Sequence, residues 1–226
     1  MKYLLRLLCC LGFALSGCTS PNAQLHKALR SDDPTAIATA AGRGADLNAA
    51  LGSGLDGMLP EWTPLTFAAY SGRIESINAL LKAGGDPNQC DGFGIAPLHY
   101  AASSQNLHIV SALLRGKADP NLLTIKGQSP EFAIAPPGFT ALILATRANS
   151  LHTVALLLQS GAKPDLRDFA GCTAFWHAGG KVPPKRERQF DSQQREIRRL
   201  LLKSGADPDP RDNRKRTWLQ AKQAAG

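Results

Sequence analysis

A phrase that recurs along the chain constrains the fold more than any other feature. Each copy opens with Thr or Ala, then Pro or Ala, then a large apolar residue, and the copies stand at 63–65, 96–98, 140–142 and 173–175. A second phrase rich in Gly, Asp, Pro and Asn follows each opener, at 84–88, 117–121, 161–165 and 205–209. The steps from Leu65 to Leu98 and from Leu142 to Phe175 are both 33 residues. A fixed period of this length predicts a stack of similar units.

The sequence pattern of these units resembles the ankyrin repeat. Thr63 is placed to cap a first helix that begins at Pro64, and Gly84 is placed to end a second helix. The resemblance implies an all-α ankyrin solenoid of about four to five repeats, each with two short antiparallel helices and a projecting loop. A degenerate first copy, from Leu25 to Asn48, and a truncated unit, from Asp212 to Ala225, are expected to cap the two ends.

The N-terminus resembles the signal peptide of a bacterial lipoprotein. A short apolar stretch follows Lys2 and Arg6 and ends in Leu15-Ser16-Gly17-Cys18, which is similar to the lipobox of that family. The resemblance implies cleavage before Cys18, lipids on its thiol, and a periplasm-facing chain in the cell envelope. Thr19 points to the outer membrane under the family's sorting rule. A plain secretory signal with a chance cysteine is the alternative.

These features divide the chain into three parts. We expect a lipoprotein signal peptide over 1–17, a lipidated N-terminus and short tether over 18–22, and an ankyrin-repeat domain over 23–226. Departures from the period place extra residues within 51–60, 122–138 and 181–194. In solenoids such insertions often lie on the binding face. Tolerated loop drift is the alternative, because lengthening a loop costs little entropy.

The charge is concentrated at one end of the chain. Residues 1–180 hold 13 Lys/Arg and 12 Asp/Glu, whereas residues 181–226 hold 13 and 6, a balance of +7. A basic end of this kind fits an acidic partner, with Arg195, Arg198 and Arg214 as the candidate residues, or else a solvated cap. Nucleic acid is not expected as a partner of an exported chain.

The chain shows no recognisable catalytic, cofactor or metal motif. His99 occupies the ankyrin position whose imidazole ties adjacent loops, which implies a structural role. Cys90 and Cys172 stand two repeats apart, too far for a disulfide, and are expected to be free thiols. Neither zinc spacing nor a nucleophile elbow is found. We therefore expect no enzyme activity, no cofactor and no metal site.

The ankyrin resemblance also implies which positions face a partner. They are the residues just before each opener and the two that follow the paired alanines. In this sequence they include an unusual share of aromatic residues, which are common anchors of protein interfaces. Together with Phe132 from the long insertion, the expected partner-binding residues are Trp62, Tyr70, Phe93, Ile95, Phe132, Phe139, Arg147 and Phe169. Packing against neighbouring loops is the alternative for some of them.

Three classes of function follow. A small, anchored, non-catalytic ankyrin chain resembles the immunity proteins of type VI-secreted phospholipases, which implies binding and blocking of a toxin on the concave face and loop tips. A periplasmic scaffold that supports an envelope or oxidative-stress enzyme is the alternative. An enzyme is the class that the sequence favours least.

Overall fold

The computed structural model describes residues 20–51, 62–125, 137–180 and 191–223, and these residues are helical apart from turns and loops. Their eleven helices are α1 (Pro21–Ser31), α2 (Pro34–Gly42), α3 (Pro64–Tyr70), α4 (Ile74–Lys82), α5 (Pro97–Ser103), α6 (Leu107–Arg115), α7 (Ala141–Arg147), α8 (Leu151–Gln159), α9 (Ala174–His177), α10 (Ser192–Lys203) and α11 (Trp218–Gln223). The all-helical solenoid that the ankyrin resemblance implied is confirmed.

The helices form two stacked layers. The odd-numbered helices α1 to α9 are the first helices of five repeats, and each contacts the first helix of the next repeat. The even-numbered helices α2 to α10 are the second helices and stack in the same way. A single pair cannot bury its apolar side, so neighbouring pairs share one continuous core. The core of the described residues runs from Leu25 to Ala206, so a chain that starts at residue 19 contains all of it.

The openers act as helix caps, as their residue types predict. The Thr63 side chain accepts a hydrogen bond from the backbone N–H of Thr66, and Thr140 and Thr173 accept equivalent bonds. Each cap satisfies a donor that has no partner inside the helix. Proline at the first position of α3 and α5 costs nothing, because that N–H would be unsatisfied in any case.

His99 takes over this role in the repeat whose opener begins with alanine. Its Nδ1 accepts a hydrogen bond from the Ala96 N–H at 3.1 Å, and its Nε2 donates to the Leu122 carbonyl at 3.0 Å. Burial lowers the pKa of His99 to about 4, so the ring stays neutral near pH 7. The structural role implied by the ankyrin resemblance is therefore confirmed: this imidazole joins one helix start to the loop of the next repeat.

The second helices bury the same positions in successive repeats. α4, α6 and α8 are each nine residues long, and their fourth and seventh residues are fully buried: Ile77 and Leu80, Val110 and Leu113, Val154 and Leu157. Leucines at the edges of this buried stripe reach the solvent. Leu107 begins α6 and is 36% exposed, and Leu202 lies at the end of the array and is 42% exposed, because no further second helix follows α10 among the described residues.

The second phrase forms a ladder of hydrogen bonds between repeats. Within a loop, Asp86 accepts a bond from the backbone N–H of Asn88. Across loops, the Asn88 side chain accepts a bond from the Asp119 N–H at 2.7 Å, and Asn48, Asn121 and Asp165 make equivalent bonds to the following repeats. The aspartates of the phrase build turns, and the residue two positions later joins the units.

The first repeat is more complete than the sequence indicated. The polar run at 30–33 was expected to mark a degenerate cap, yet α1 and α2 form a full helix pair, and α1 begins at Pro21, before the expected boundary at residue 23. Asp32 adopts the left-handed conformation between the two helices. Arg73 donates hydrogen bonds to the carbonyl oxygens of Leu29 and Arg30, so the polar run joins the first two repeats.

Two neighbouring loops approach each other closely at Gly171. It has φ +81°, and a methyl group there would lie 2.7 Å from the backbone nitrogen of Asn213. Gly161 has φ +88° but open space around the same position. We expect Gly161→Ala to cost about 1–2 kcal/mol from backbone strain alone. Gly171→Ala should cost at least about 1 kcal/mol more because of the steric clash. Urea unfolding of both variants measures the difference, and equal losses would contradict the contact.

Candidate protein-binding surface

In the part of the chain that the structure describes, five hairpin turns project from the array, one ahead of each first helix from α3 to α11. In each turn a backbone N–H donates to the carbonyl of a later residue. The five bonded pairs are Leu51 with Trp62 (hairpin 1), Asp91 with Ile95 (hairpin 2), Thr124 with Phe139 (hairpin 3), Asp168 with Cys172 (hairpin 4) and Asp212 with Arg216 (hairpin 5). The pair distances lie between 2.7 and 3.1 Å. In the first four hairpins the closing residue directly precedes the N-cap of the next helix.

An inward-turned aspartate builds each short hairpin. In hairpin 2, Asp91 Oδ1 accepts hydrogen bonds from the N–H groups of Phe93 and Ile95, and Oδ2 accepts one from the Tyr100 hydroxyl at 2.6 Å. In hairpin 4, Asp168 Oδ2 contacts His177 Nε2 at 2.7 Å. The sequence interpretation overlooked these aspartates. The signal was present as the spacing Asp-x-x-Gly just before an opener, at Asp91 and Asp168.

The two long insertions emerge from hairpins 1 and 3. The bonded pairs of the short hairpins enclose three residues, whereas Leu51 and Trp62 enclose ten and Thr124 and Phe139 enclose fourteen. Thr124 replaces the turn aspartate, and its hydroxyl accepts a hydrogen bond from the Phe139 N–H at 2.9 Å. Residues 52–61 and 126–136, and with them Phe132, lie outside the described residues. Both insertions leave the array at the position that carries the hairpin tips.

The third expected insertion, within 181–194, lies ahead of α10. Asp191 is the N-cap of α10, and its side chain accepts a hydrogen bond from the Gln194 N–H at 2.7 Å. Residues 192–194 therefore form the first turn of α10, at the C-terminal edge of the range that was expected to hold the extra residues. Residues 181–190 lie outside the described residues.

Three of the expected partner-binding residues are buried, which corrects the interpretation of their position. Trp62 and Ile95 are 0% exposed and Phe139 is 4% exposed. Each closes a hairpin through its backbone, and this turns the side chain toward the core between repeats. The Trp62 ring lies 4.7 Å from the Tyr70 ring and 5.3 Å from the Tyr100 ring. These residues support the surface from below and cannot contact a partner directly in this conformation.

The other expected residues of the described chain reach the surface to different degrees. Tyr70, at the end of α3, is 39% exposed, and Phe169, in hairpin 4, is 63% exposed. Arg147 is exposed, and its guanidinium lies 5.0 Å from the centre of the Phe139 ring. Phe93 is half-buried against the core. Tyr70, Arg147 and Phe169 are therefore the accessible members of the predicted set.

The sequence interpretation missed further residues at this surface. Ile125, in hairpin 3, is 63% exposed, as much as Phe169. His177 lies at the end of α9, with its ring 5.2 Å from Phe139 and 5.3 Å from Trp176. His177 was hidden because it occupies the position that holds Phe67, Tyr100 and Leu144 in the other first helices. Its contact with Asp168 could not be read from the period.

Arg198 does not belong to a basic surface. It is 6% exposed, stands in α10 where α4, α6 and α8 carry aliphatic core residues, and donates hydrogen bonds to the carbonyl oxygens of Ala178 and Gly180. Its guanidinium also lies 5.1 Å from the centre of the Phe175 ring. Its charged side chain therefore satisfies backbone carbonyl groups just after the end of the short helix α9. Of the other two expected basic residues, Arg195 is half-buried in α10 and Arg214 is exposed in hairpin 5.

The second-helix side carries a groove between α2 and α4. It encloses about 680 Å³ and is lined mostly by small and aliphatic groups, among them Pro34, Ala38 and Ala41. Pro34 and Ala41 occupy the first and eighth positions of α2, where α4 carries Ile74 and Leu81. The groove thus arises from small residues at the first repeat and lies away from the hairpins.

The two cysteines have the properties of structural thiols. Cys90 and Cys172 are both free, and burial raises the pKa of the Cys172 thiol to about 12. A protonated thiol is a poor nucleophile and a poor metal ligand. Among the described residues, no group of three or more His, Cys, Asp or Glu side chains is placed to hold a metal ion.

Comparison with known proteins agrees with this geometry. The family profile for ankyrin repeats, in three copies, matches residues 4–124 and 65–168. The chain is similar to the crystal structure of EF0377, an ankyrin repeat protein, with a TM-score of 0.66, 24% sequence identity, and coverage of 89% of this chain and 92% of that one. No curated protein matches the sequence significantly.

Within the described residues, no helix combines the length and apolar character needed to cross a membrane. Ankyrin repeats generally serve as non-catalytic scaffolds that bind other proteins. The chain belongs to the ankyrin-repeat family.

Proposed function

We propose that this chain is a non-enzymatic, lipid-anchored module that faces the periplasm and binds another protein. In the most specific form of the proposal it is an immunity protein that binds and blocks a periplasm-acting toxin, such as a secreted phospholipase. The observation that carries the proposal is the exposure of Tyr70, Arg147 and Phe169 at positions that face partners in ankyrin proteins.

These side chains have the properties of interface anchors. Tyr and Phe offer a large contact area with few rotatable bonds, so little entropy is lost when they are covered. Arg147 is held over the Phe139 ring, which reduces its freedom before any partner arrives. The underlying aromatic rings are buried and packed, so the surface is preorganised. Insertions at hairpins 1 and 3 would add contacts beside it, and blocking would occur by occlusion of the toxin's active site.

The anchor part of the proposal rests on the lipobox at 15–18. α1 begins at Pro21, and the Ser20 hydroxyl accepts a hydrogen bond from the Ala23 N–H. A single residue, Thr19, therefore lies between the cysteine and the first helix cap. Lipids on Cys18 would hold the ankyrin array close to the bilayer. The array would then meet partners near the membrane surface.

Replacing Cys18 with serine tests the anchor. We expect Cys18→Ser to abolish labelling with radioactive palmitate and to shift the protein out of the membrane fraction, because serine cannot form the thioether that carries the lipid. Several acyl chains together make a stable anchor, so the change in partition should be large. Cys90→Ser is the matched control and should label like the parent. Unchanged labelling of Cys18→Ser would contradict the lipoprotein assignment.

Capture and titration test the blocking function. Purified residues 19–226 should capture one envelope or secreted protein, and stoichiometric addition should abolish the hydrolase activity of that protein. Capture of an envelope enzyme that remains fully active, or becomes more stable, would instead support the scaffold alternative. A captured phospholipase that is unaffected by excess chain would contradict the immunity proposal.

A further inference from the structure

Two strongly exposed apolar side chains occupy equivalent places in neighbouring hairpins. Ile125 follows the turn residue Thr124 in hairpin 3, and Phe169 follows the turn residue Asp168 in hairpin 4. Both are 63% exposed. Single exposed apolar side chains are common on protein surfaces, but two at equivalent places in neighbouring projecting loops are typical of a contact surface.

The hairpins that carry these two side chains are in direct contact. A methyl group on Gly138 would lie 2.6 Å from the Phe169 backbone nitrogen, so hairpin 3 touches hairpin 4 at that point. Hairpin 3 is also joined to hairpin 2, because the Ile125 N–H donates to the Gly94 carbonyl at 3.0 Å. Backbone contacts therefore hold Ile125 and Phe169 in a defined order along the array.

Hairpin 5 adds positive charge next to hairpin 4. The side chain of Asn213 donates to the Phe169 carbonyl at 2.8 Å, and its backbone N–H donates to the Ala170 carbonyl at 2.8 Å. Arg214 and Lys215 follow Asn213, are exposed, and form no ion pair with a described residue. The last two hairpins thus place two cations beside an exposed phenylalanine.

The acidic residues of these hairpins do not neutralise the tip. Asp168 is 6% exposed and Asp212 is 9% exposed, because their carboxylates turn inward to accept backbone N–H groups. Asp212 is also paired with Arg216 at 2.8 Å. The fold of the hairpin therefore separates charge: its carboxylates lie inside the turn while Arg214 and Lys215 stand outside.

We propose that the row formed by Ile125, Phe169, Arg214 and Lys215 is a docking surface for a folded protein that presents carboxylates beside an apolar patch. The inference rests on the proposed protein-binding function and adds the chemistry of the partner. The apolar pair supplies contact area, and the two cations select the sign of the partner's charge and its orientation. An anionic membrane fits less well, because each basic residue contributes little attraction to lipid headgroups and only two stand here.

Two synthetic polymers serve as probes, since no partner is needed to test the chemistry. Fluorescent poly-glutamate and a glutamate–tyrosine copolymer of the same length are titrated with residues 19–226, with fluorescence anisotropy as the readout. The parent chain should bind the copolymer about fivefold or more tighter than poly-glutamate. Arg214→Glu/Lys215→Glu should weaken copolymer binding about tenfold or more, because attraction becomes repulsion. Arg214→Glu alone should give a smaller loss and guards against misfolding of the double variant.

Two further variants and one alternative surface complete the test. Lys27→Glu/Lys82→Glu changes the net charge equally, at exposed positions in the first two repeats, and should leave affinity within about twofold of the parent. Ile125→Ser/Phe169→Ser should remove the preference for the tyrosine copolymer. Equal losses in both charge variants, or an unchanged preference after Ile125→Ser/Phe169→Ser, would overturn the proposal. Stronger capture by phosphatidylglycerol vesicles, abolished by Arg214→Glu/Lys215→Glu, would assign the surface to the membrane instead.

The outcome is separable from that of the blocking function. If Arg214→Glu/Lys215→Glu blocks a captured toxin as well as the parent does, this docking surface is wrong while the immunity proposal stands. If the polymer results are as expected but no toxin is captured, the immunity proposal fails while the docking chemistry stands.

Discussion

Leu113→Ala is expected to lower the free energy of unfolding by roughly 2–5 kcal/mol. Leu113 is the seventh residue of α6 and is fully buried in the middle repeat of the array. Truncation removes the transfer free energy of the side chain and leaves a cavity that neighbouring repeats can fill only in part. The units of a solenoid depend on their neighbours, so loss at a central interface should destabilise both sides. Urea unfolding followed by circular dichroism measures the change.

Leu107→Ala is the matched control for this prediction. It makes the same chemical change in the same helix, but Leu107 is 36% exposed. Its cost should stay below about 1 kcal/mol. Leu157→Ala, at the equivalent position of α8, should behave like Leu113→Ala. Similar midpoints for Leu113→Ala and Leu107→Ala would show that the assigned repeat register is wrong.

The second large effect concerns the candidate surface. A Tyr70→Ala, Arg147→Ala, Phe169→Ala triple variant should fold normally, because the three side chains are exposed, yet lose the partner captured by the parent. Truncation of one true anchor typically costs 2 kcal/mol or more, about thirtyfold in affinity. Titration of the captured partner with parent and variant, after circular dichroism of both, provides the measurement.

A second triple variant serves as its control. Glu75, His108 and His152 are the second residues of α4, α6 and α8 and are all exposed on the second-helix side. Their joint replacement by alanine should leave partner affinity within about twofold of the parent. Loss of binding in this control, with retention in the Tyr70, Arg147, Phe169 variant, would move the interface to the opposite face.

The helices were predictable because their signals are local. Thr63 and Pro64 cap and start α3, and Gly84 with φ +97° ends the second helix of the same repeat, whatever the rest of the chain does. The period then set which apolar residues form the core. His99 could be placed for the same reason, since its two hydrogen bonds follow from its position in the repeat.

The surface was less predictable because exposure depends on contacts between units. Trp62 and Phe139 stand at partner-facing positions of the sequence pattern, but the backbone bonds that close hairpins 1 and 3 turn them inward. Arg198 was expected in a basic patch, and its burial follows from the early end of α9, which leaves carbonyl groups for it to satisfy. Neither the inward orientation of Trp62 and Phe139 nor the burial of Arg198 can be predicted from residue spacing.

The positive charge on the outside of the hairpins was also hidden in the sequence, because a net charge counts buried and exposed groups alike. Asp168 and Asp212 lower the net charge counted from the sequence, although they face the inside of their turns. Ile125 escaped notice because it borders an insertion and no opener lies close to it. A search for the residue that follows each turn aspartate, or its Thr124 replacement, would have found the row.

Site-specific photocrosslinking can locate the partner surface on the intact protein. A photoreactive phenylalanine analogue is placed at Phe169 or at His152 of the otherwise intact, anchored chain, and cells are irradiated. We expect a crosslink from position 169 to one protein of the envelope or to a delivered toxin, identified by mass spectrometry, and none from position 152. Crosslinks from position 152 alone, or equal yields of the same product from both positions, would contradict a partner surface built on the hairpins and first helices.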